Sequence, residues 1–385
     1  PMIVQRVKGW GFLIGVIFAF MLSMMLFYTT AVPVKMLPFD NKAEFSVVIN
    51  LPEGTALTET ANLAARMARE LRQLPEIKGI QSYAGTASPF NFNGLVRHYY
   101  LRQQPWQGDL QIQLVDKKQR KRSSHEIAAA ARELLTPLAR ESGARIAVVE
   151  MPPGPPVLQA VVAEVYGPDA ETRRAVARHL TEVFEQAQHI TDVDNLMQDD
   201  YPVWRFVVDD EKALRMGVSV DSINRTLEMA MGGFVLGDVK RGSVLEPTMM
   251  VLQLPLEARA EFARLGVIPV SANDGVTVPL AELGRFVPDS QGSVIYRKDL
   301  RPLEYVTGDT QGRLGAPIYG MLEVDKMLEG YVTPDGVEIA GQYIGRSETL
   351  ARSSFEWGGE WTVTYETFRD MGIALSLIHI SEPTR

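Results

Sequence analysis

The chain is 385 residues long, 46% hydrophobic and free of cysteine, with a formal net charge of −8 at neutral pH. That much apolar material is enough for two or more cored domains. The acidic balance argues against nucleic acid as a partner, since phosphate binding needs a clustered basic surface. Without cysteine there are neither disulfides nor thiolate metal sites.

The first element is the uncharged run from Gly9 to Val34. It exceeds the about 20 apolar residues that cross a bilayer's hydrocarbon core. Lipid offers the backbone no hydrogen-bond partners, so the sequence predicts a transmembrane helix over 9–34. A secretory signal has a shorter apolar core, roughly 7–15 residues, and Ala31-Val32-Pro33 matches a cleavage site poorly. A one-helix anchor and one helix of a polytopic protein both fit. Residue 1 is proline, so the natural chain is expected to start upstream. Arg6 and Lys8 flank one side and Lys35 and Lys42 the other, which orients the span only weakly.

Two later segments share a strand–helix–strand plan, one from Phe45 and one from Ala160. Each opens with a β-branched strand and turns at Pro52-Glu53-Gly54 or Gly167-Pro168-Asp169. Each then runs an amphipathic helix into a short strand beginning with Ile. Leu63, Met67, Leu71 and Leu74 fall at helical spacing in the first, and Val176, Leu180, Val183 and Phe184 in the second. A further unit follows the first: LQIQLV, a helix from Ser123 to Arg140, then ARIAVVE. Its helix opens on the capping box Ser123-Ser124-His125-Glu126. The basic run Lys117–Arg122 before it reads as a solvated loop.

Successive βαβ units make a split βαβ, ferredoxin-like sandwich. The expected fold class is therefore α+β: one transmembrane helix, then two ferredoxin-like subdomains, the second interrupted by an inserted α+β unit. The first occupies 43–157, the second 158–197 with 290–343, and the insertion 198–289. The closing elements of the second are expected in IYGMLEVDKML and GVEIAGQY. Residues 347–374 read as a membrane-proximal helix and the start of another span. Residues 375–385, LSLIHISEPTR, read as a translated sequencing adapter and are set aside.

Little points to catalysis. There is no Gly-x-Ser-x-Gly elbow, zinc-binding His-Glu-x-x-His, P-loop or dinucleotide fingerprint. His98, His125, His179 and His189 have no ligand spacing, and Asp199-Asp200 and Asp209-Asp210 read as turn residues. Soft methionine ligands would suit monovalent copper or silver. Met21, Met24 and Met25 lie in the span, however, and Met229, Met231, Met249 and Met250 are expected to pack in a core. Met151 and Met197 alone are left as metal candidates. In Ser88–Gly94, two aromatics at alternate positions sit in a polar, turn-rich loop, where their faces can stack on flat amphiphiles.

Four motifs in order carry a resemblance: VPVKMLPFDNKAEFSVVINLPEGT, SPFNFNG, VVDDEKALRMGVSVDSINRTLEMAMGG and GVIPVSANDGVTVPLAELGRF. Together they resemble the permease subunits of resistance-nodulation-division (RND) efflux pumps of the drug- and hydrophobe-exporting type. The resemblance implies a twelve-helix permease with two periplasmic excursions, this chain corresponding to the seventh helix and the loop after it. The two sandwiches then stand for porter subdomains and the insertion for a docking subdomain. The resemblance further implies a proton-driven secondary transporter, not an enzyme, whose proton relay lies in other membrane helices and which uses no cofactor. The expected setting is a bacterial inner membrane, with most of this chain periplasmic. The implied partners are membrane lipid, small-molecule substrates, two further copies forming a homotrimer, a periplasmic adaptor and an outer-membrane channel. Phe90, Phe92 and Gly94 stand where the family has its substrate-contacting switch loop. The run Gly94–Trp106 looks longer than in the best-known drug pumps, a departure at the pocket itself. The rival readings are a copper- or silver-type metal exporter, an anchored periplasmic binding or assembly protein, and a protein-export relative.

Overall fold

A computed structural model describes residues 6–32, 41–89, 91, 94–95, 97–150, 157–240, 242, 246–310, 314–347 and 349–381. The apolar run forms helix α1 (Arg6–Tyr28), 23 residues long, or ~34 Å at 1.5 Å per residue. Its Gly9–Leu26 stretch has a mean hydropathy of 2.1 and none of its residues is buried in this chain, so α1 is long and apolar enough to span a bilayer. It ends at Tyr28, short of the expected boundary at 34. There the Thr29 hydroxyl donates back to the Met25 carbonyl and Thr30 turns to φ 55°. Residues 33 and 34 lie outside the described residues.

The first sandwich is β1 (Glu44–Asn50), α2 (Leu57–Leu71), β2 (Ile77–Ala84), β3 (Gln107–Leu114), α3 (Ser124–Ser142) and β4 (Arg145–Val149). Its antiparallel sheet has the order β2-β3-β1-β4. Val47 faces Leu110 on one side and Val148 on the other, and all three are buried. Both helices cover one face. Leu63, Met67 and Leu71 of α2 and Ile127, Ala131 and Leu135 of α3 enter the core at helical spacing. The α3 capping box forms: the Ser123 hydroxyl accepts from the Glu126 amide, and the Glu126 carboxylate accepts from the Ser123 amide. Gly143 closes the helix at φ 65°, a left-handed position that favours glycine.

The second sandwich starts with β5 (Val161–Tyr166), α4 (Ala170–Gln186) and β6 (Ile190–Asn195). Residues 200–292 then form a separate compact unit. In that unit β7 (Tyr201–Val208) pairs with β12 (Gly284–Gln291) around α5 (Asp210–Arg215), α6 (Val220–Met231) and the hairpins β8 (Phe234–Val239)/β9 (Thr248–Leu252) and β10 (Pro269–Ser271)/β11 (Thr277–Pro279). Here the motif Asp209–Ile223 is a chain of local instructions. The Asp209 carboxylate caps α5 by accepting from the Lys212 amide, and Ala213 enters the core. Gly217 turns at φ +66°, Val218 is buried, and the Ser219 hydroxyl caps α6 by accepting from the Ser222 amide. Met249 and Met250, expected in a core, instead lie on the β8/β9 ribbon. There Phe234, Leu236, Met249 and Leu252 are each about half exposed.

The chain then resumes the second sandwich with β13 (Tyr296–Lys298), β14 (Arg301–Thr310), α7 (Pro317–Met327), β15 (Gly341–Gln342) and β16 (Ser354–Gly359). The sheet runs β6-β14-β5-β16, with β13 beside β14 and β15 parallel to β16. The strand expected at GVEIAGQY, and with it the boundary at 343, needs correction. Only Gly341 and Gln342 of that segment join the sheet, at its edge. The slot beside β5 belongs to 354–359, read from sequence as a helical lead-in. Its period is two: Phe355 and Trp357 point into the core while Glu356 points away and meets Arg301 at 3.0 Å. Gly359, at φ +73°, ends the strand, and α8 (Glu360–Ser381) follows directly. One close approach defines the other edge. A Cβ on Gly308 would lie 2.5 Å from Ile190, and one on Gly320 of α7 2.8 Å from the same buried side chain.

Candidate functional site

The two sandwiches meet where β4 approaches β6, and charged groups hold the junction. Arg132 of α3 places Nε and Nη2 each 2.7 Å from a carboxylate oxygen of Asp192. The Val148 amide of β4 donates to the same carboxylate at 3.0 Å. Asp192 adopts φ 49°, a left-handed conformation that aspartate tolerates better than most residues. Nearby, Arg145 reaches Asp194 at 3.1 Å and donates to Asn195, while the Asn50 amide donates to Asp194 at 3.0 Å. Burial pushes the carboxyls of Asp192 and Asp194 upward, against the pull of Arg132 and Arg145 respectively.

Beside this junction lies a cavity of about 610 Å³. Val48 of β1, Ile146 and Ala147 of β4, and Val193 of β6 make its apolar wall, and Tyr296, Tyr305 and Thr307 line the second sandwich's side. A further wall is the connection between β2 and β3, through Arg97, His98, Tyr99, Leu101, Arg102 and Gln104, and Arg145, Asp194 and Arg297 add charge elsewhere in the lining. That connection occupies the same topological position in the first sandwich that the 200–292 unit occupies in the second.

The connection is built around Arg102. Its Nε donates to Asp109 at 3.0 Å and its Nη1 to Asn50 Oδ1 at 2.7 Å. Its Nη2 donates to the carbonyls of Ile49 at 2.9 Å and Gly108 at 3.2 Å. One guanidinium thus ties the segment to the ends of β1 and β3 with its donors satisfied. Arg97 differs. It is 7% exposed, and among the described residues its ion pair is Nη2 to Asp309 at 3.5 Å. Burial works against its charge, but Tyr99 and Asp309 outweigh it and hold the guanidinium above its ordinary value. Burial also pushes the Tyr99 and Tyr296 hydroxyls up, and takes Tyr305 to about 12.

Of the residues singled out in the sequence, Phe90 and Phe92 lie outside the described residues. Gly94 is buried in a helical turn, where its amide donates to Asn91 Oδ1 at 2.7 Å. A Cβ there would meet that same oxygen at 3.2 Å, and its φ is not left-handed. Met197 packs in the core of the second sandwich, and Met151 lies outside the described residues. The histidines serve locally: His125 meets Glu150 at 2.8 Å, His189 meets Glu323 at 2.7 Å, and His179 stacks on Tyr331. Among the described residues no three His, Asp or Glu side chains are grouped to hold a metal ion. Sequence reasoning named Phe90, Phe92 and Gly94 and noted the run from Gly94 to Trp106, but did not pick out Arg97, Tyr99 and Arg102 within it. The available signal was the density of cations and aromatics in Arg97-His98-Tyr99-Tyr100-Leu101-Arg102, a connection too polar to be core.

The ordered motifs agree with a comparison of families. A sequence model of the AcrB/AcrD/AcrF family matches residues 4–356. The chain belongs to that family. Its members are RND efflux permeases, inner-membrane transporters rather than enzymes. The chain is similar to the nickel and cobalt resistance protein CnrA of Cupriavidus metallidurans, at 23% identity over 272 residues. That match takes in 67% of this chain and 24% of CnrA. Two crystal forms of a heavy metal efflux pump superpose with a TM-score of 0.67 at 17% identity, over 95% of this chain. The chain spans 36% and 35% of those two pump chains. At such identity the likeness is one of fold.

Proposed function

We propose that this RND family chain forms the periplasmic substrate-handling part, with its leading span, of a proton-driven permease that exports amphiphilic small molecules. The observation that carries this reading is the cavity between the two sandwiches. It is large enough for a drug-sized ligand and combines an apolar wall with a few convergent polar groups. Phe90 and Phe92 precede the wall segment directly and are proposed to present their rings to substrate on its way in. The β8/β9 ribbon, apolar and half exposed, supports assembly with further copies, an adaptor and an outer-membrane channel, since such patches mark interaction surfaces.

A metal-exporting reading is favoured by one specific observation, the names of the similar CnrA and heavy metal pumps. It requires nitrogen, oxygen or thioether donors converging on the path, and Met151, outside the described residues, is the thioether candidate left from the sequence. One experiment separates the two. In a pump-deficient bacterial host, the permease carrying this chain is tested against organic amphiphiles and against nickel, cobalt and copper salts. Resistance to amphiphiles, reduced by collapse of the proton gradient, is the expected result. Resistance confined to metal salts would replace the amphiphile reading with the metal one.

A further inference from the structure

We propose that Arg97 forms an anion subsite in the cavity, selecting amphiphiles that carry a carboxylate or similar acidic head on an apolar body. Its role in transport rests on the export reading above; the binding site itself does not. The argument begins with the contrast among the arginines of the wall. Arg102 spends its guanidinium on Asp109, Asn50 and two backbone carbonyls, and Arg145 is engaged by Asp194 and Asn195. These two are structural. Arg97 is the most buried of the three, yet among the described residues its Nε and Nη1 have no hydrogen-bond partner. A buried donor left unmade is costly, and native proteins retain such groups where something else completes them.

Three features make an anion the fitting partner. Arginine offers only donors, in a planar fork that matches a carboxylate. Asp309 sits 3.5 Å from Nη2, too long for a strong charge-assisted bond, and its Oδ1 also accepts from the Thr310 amide at 2.9 Å. Arg97 is 7% exposed and shares the cavity lining with Val48, Ile146, Tyr296 and Tyr305, so an anion arriving there exchanges water for a fixed positive charge in a partly apolar setting. Nε and Nη1 are closed to solvent in this conformation, so binding includes a turn of the guanidinium into the cavity it lines. A cationic head meets like charge at Arg97.

The test uses two fluorescent probes of matched body and opposite head, dansyl-aminohexanoate and dansylcadaverine. They are titrated by polarisation against the whole chain in nanodiscs of zwitterionic lipid. The carboxylate is expected to bind more tightly than the amine. Arg97→Gln should weaken the carboxylate at least tenfold and leave the amine within twofold, with Arg97→Lys in between. Because Arg97→Gln leaves Asp309 unpaired, the double variant Arg97→Met/Asp309→Asn removes both charges and keeps the site neutral. It should melt like the parent and still lose the carboxylate preference. Equal binding of the two probes to the parent, or parallel weakening of both in the double variant, would overturn the proposal. Charge-selective binding without efflux in cells would sink the export reading and leave the subsite standing. Efflux without charge selectivity would do the reverse.

Discussion

Replacing Arg132 with methionine tests whether the junction beside the cavity is held by charge. In the parent, two 2.7 Å contacts join Arg132 to an Asp192 carboxylate whose side chain is 4% exposed. Removing the arginine leaves that carboxylate with the Val148 amide as its remaining donor in the seam. Breaking one side of a buried pair costs about 3–5 kcal/mol, because the surviving charge stays buried without its counterion. Arg132 itself is 23% exposed, which places the expectation toward about 3 kcal/mol. For a unit of this size that is on the order of a 10 °C fall in melting temperature. Asp192→Asn in the same background removes the stranded charge, so the double variant should recover much of the loss.

The pH dependence has a definite sign. Burial already raises the Asp192 carboxyl, and losing Arg132 raises it further. A folded-state pKa above the unfolded value means the folded form binds the proton more tightly. Stability is then fully present below the unfolded value and is lost as pH rises through the folded one. The deficit of Arg132→Met should therefore be greatest at neutral pH and shrink as pH falls through the raised folded value toward the ordinary aspartate range. The assay is thermal unfolding of the whole chain in detergent, followed by near-ultraviolet circular dichroism across pH, for parent, both single variants and the double variant. A loss below about 1 kcal/mol, or a deficit that grows on acidification, would refute the buried-pair reasoning.

Phe90→Ala and Phe92→Ala, in the permease carrying this chain, should each cost about 1–3 kcal/mol of substrate contact, roughly tenfold or more in affinity. A uniform loss across a substrate panel that tracks protein level would make both rings packing residues instead. Gly94→Pro deletes the amide that donates to Asn91 and should slow large substrates more than small ones, as export rates normalised to inserted protein would report. Ser123→Ala removes the α3 cap and should cost about 1 kcal/mol by thermal melt, while Ser123→Asp stays near parent stability. Gly320→Ala drives a Cβ to within 2.8 Å of Ile190 and should destabilise by about 1–3 kcal/mol. Gly320→Ala combined with Ile190→Val should recover part of that loss, and no recovery would argue against this contact as the cause.

What could be read in the sequence were features whose causes are local. The span follows from an uncharged run long enough for a bilayer, and α1 realises it over Arg6–Tyr28. The amphipathic faces of α2 and α3, the Ser123 capping box, and the Asp209, Gly217 and Ser219 signals each depend on residues within one or two turns, so each was legible in advance. What tertiary structure decided depended on distant partners. Ser354–Gly359 becomes a central strand because Phe355 and Trp357 fill a core supplied by α4 and α7, while Glu356 meets Arg301. Its own Glu-Trp-Gly-Gly composition does not favour a strand. The cavity is likewise nowhere in the local pattern. Arg97 and Arg102 sit a few residues apart in one polar connection, and no property of that segment tells the clamp from the open donor. The difference arises because folding brings Asp109, Asn50 and two carbonyls to Arg102, and leaves Arg97 against Asp309 with two nitrogens unmatched. Which donors find acceptors is settled by long-range packing, and a sequence window cannot contain it.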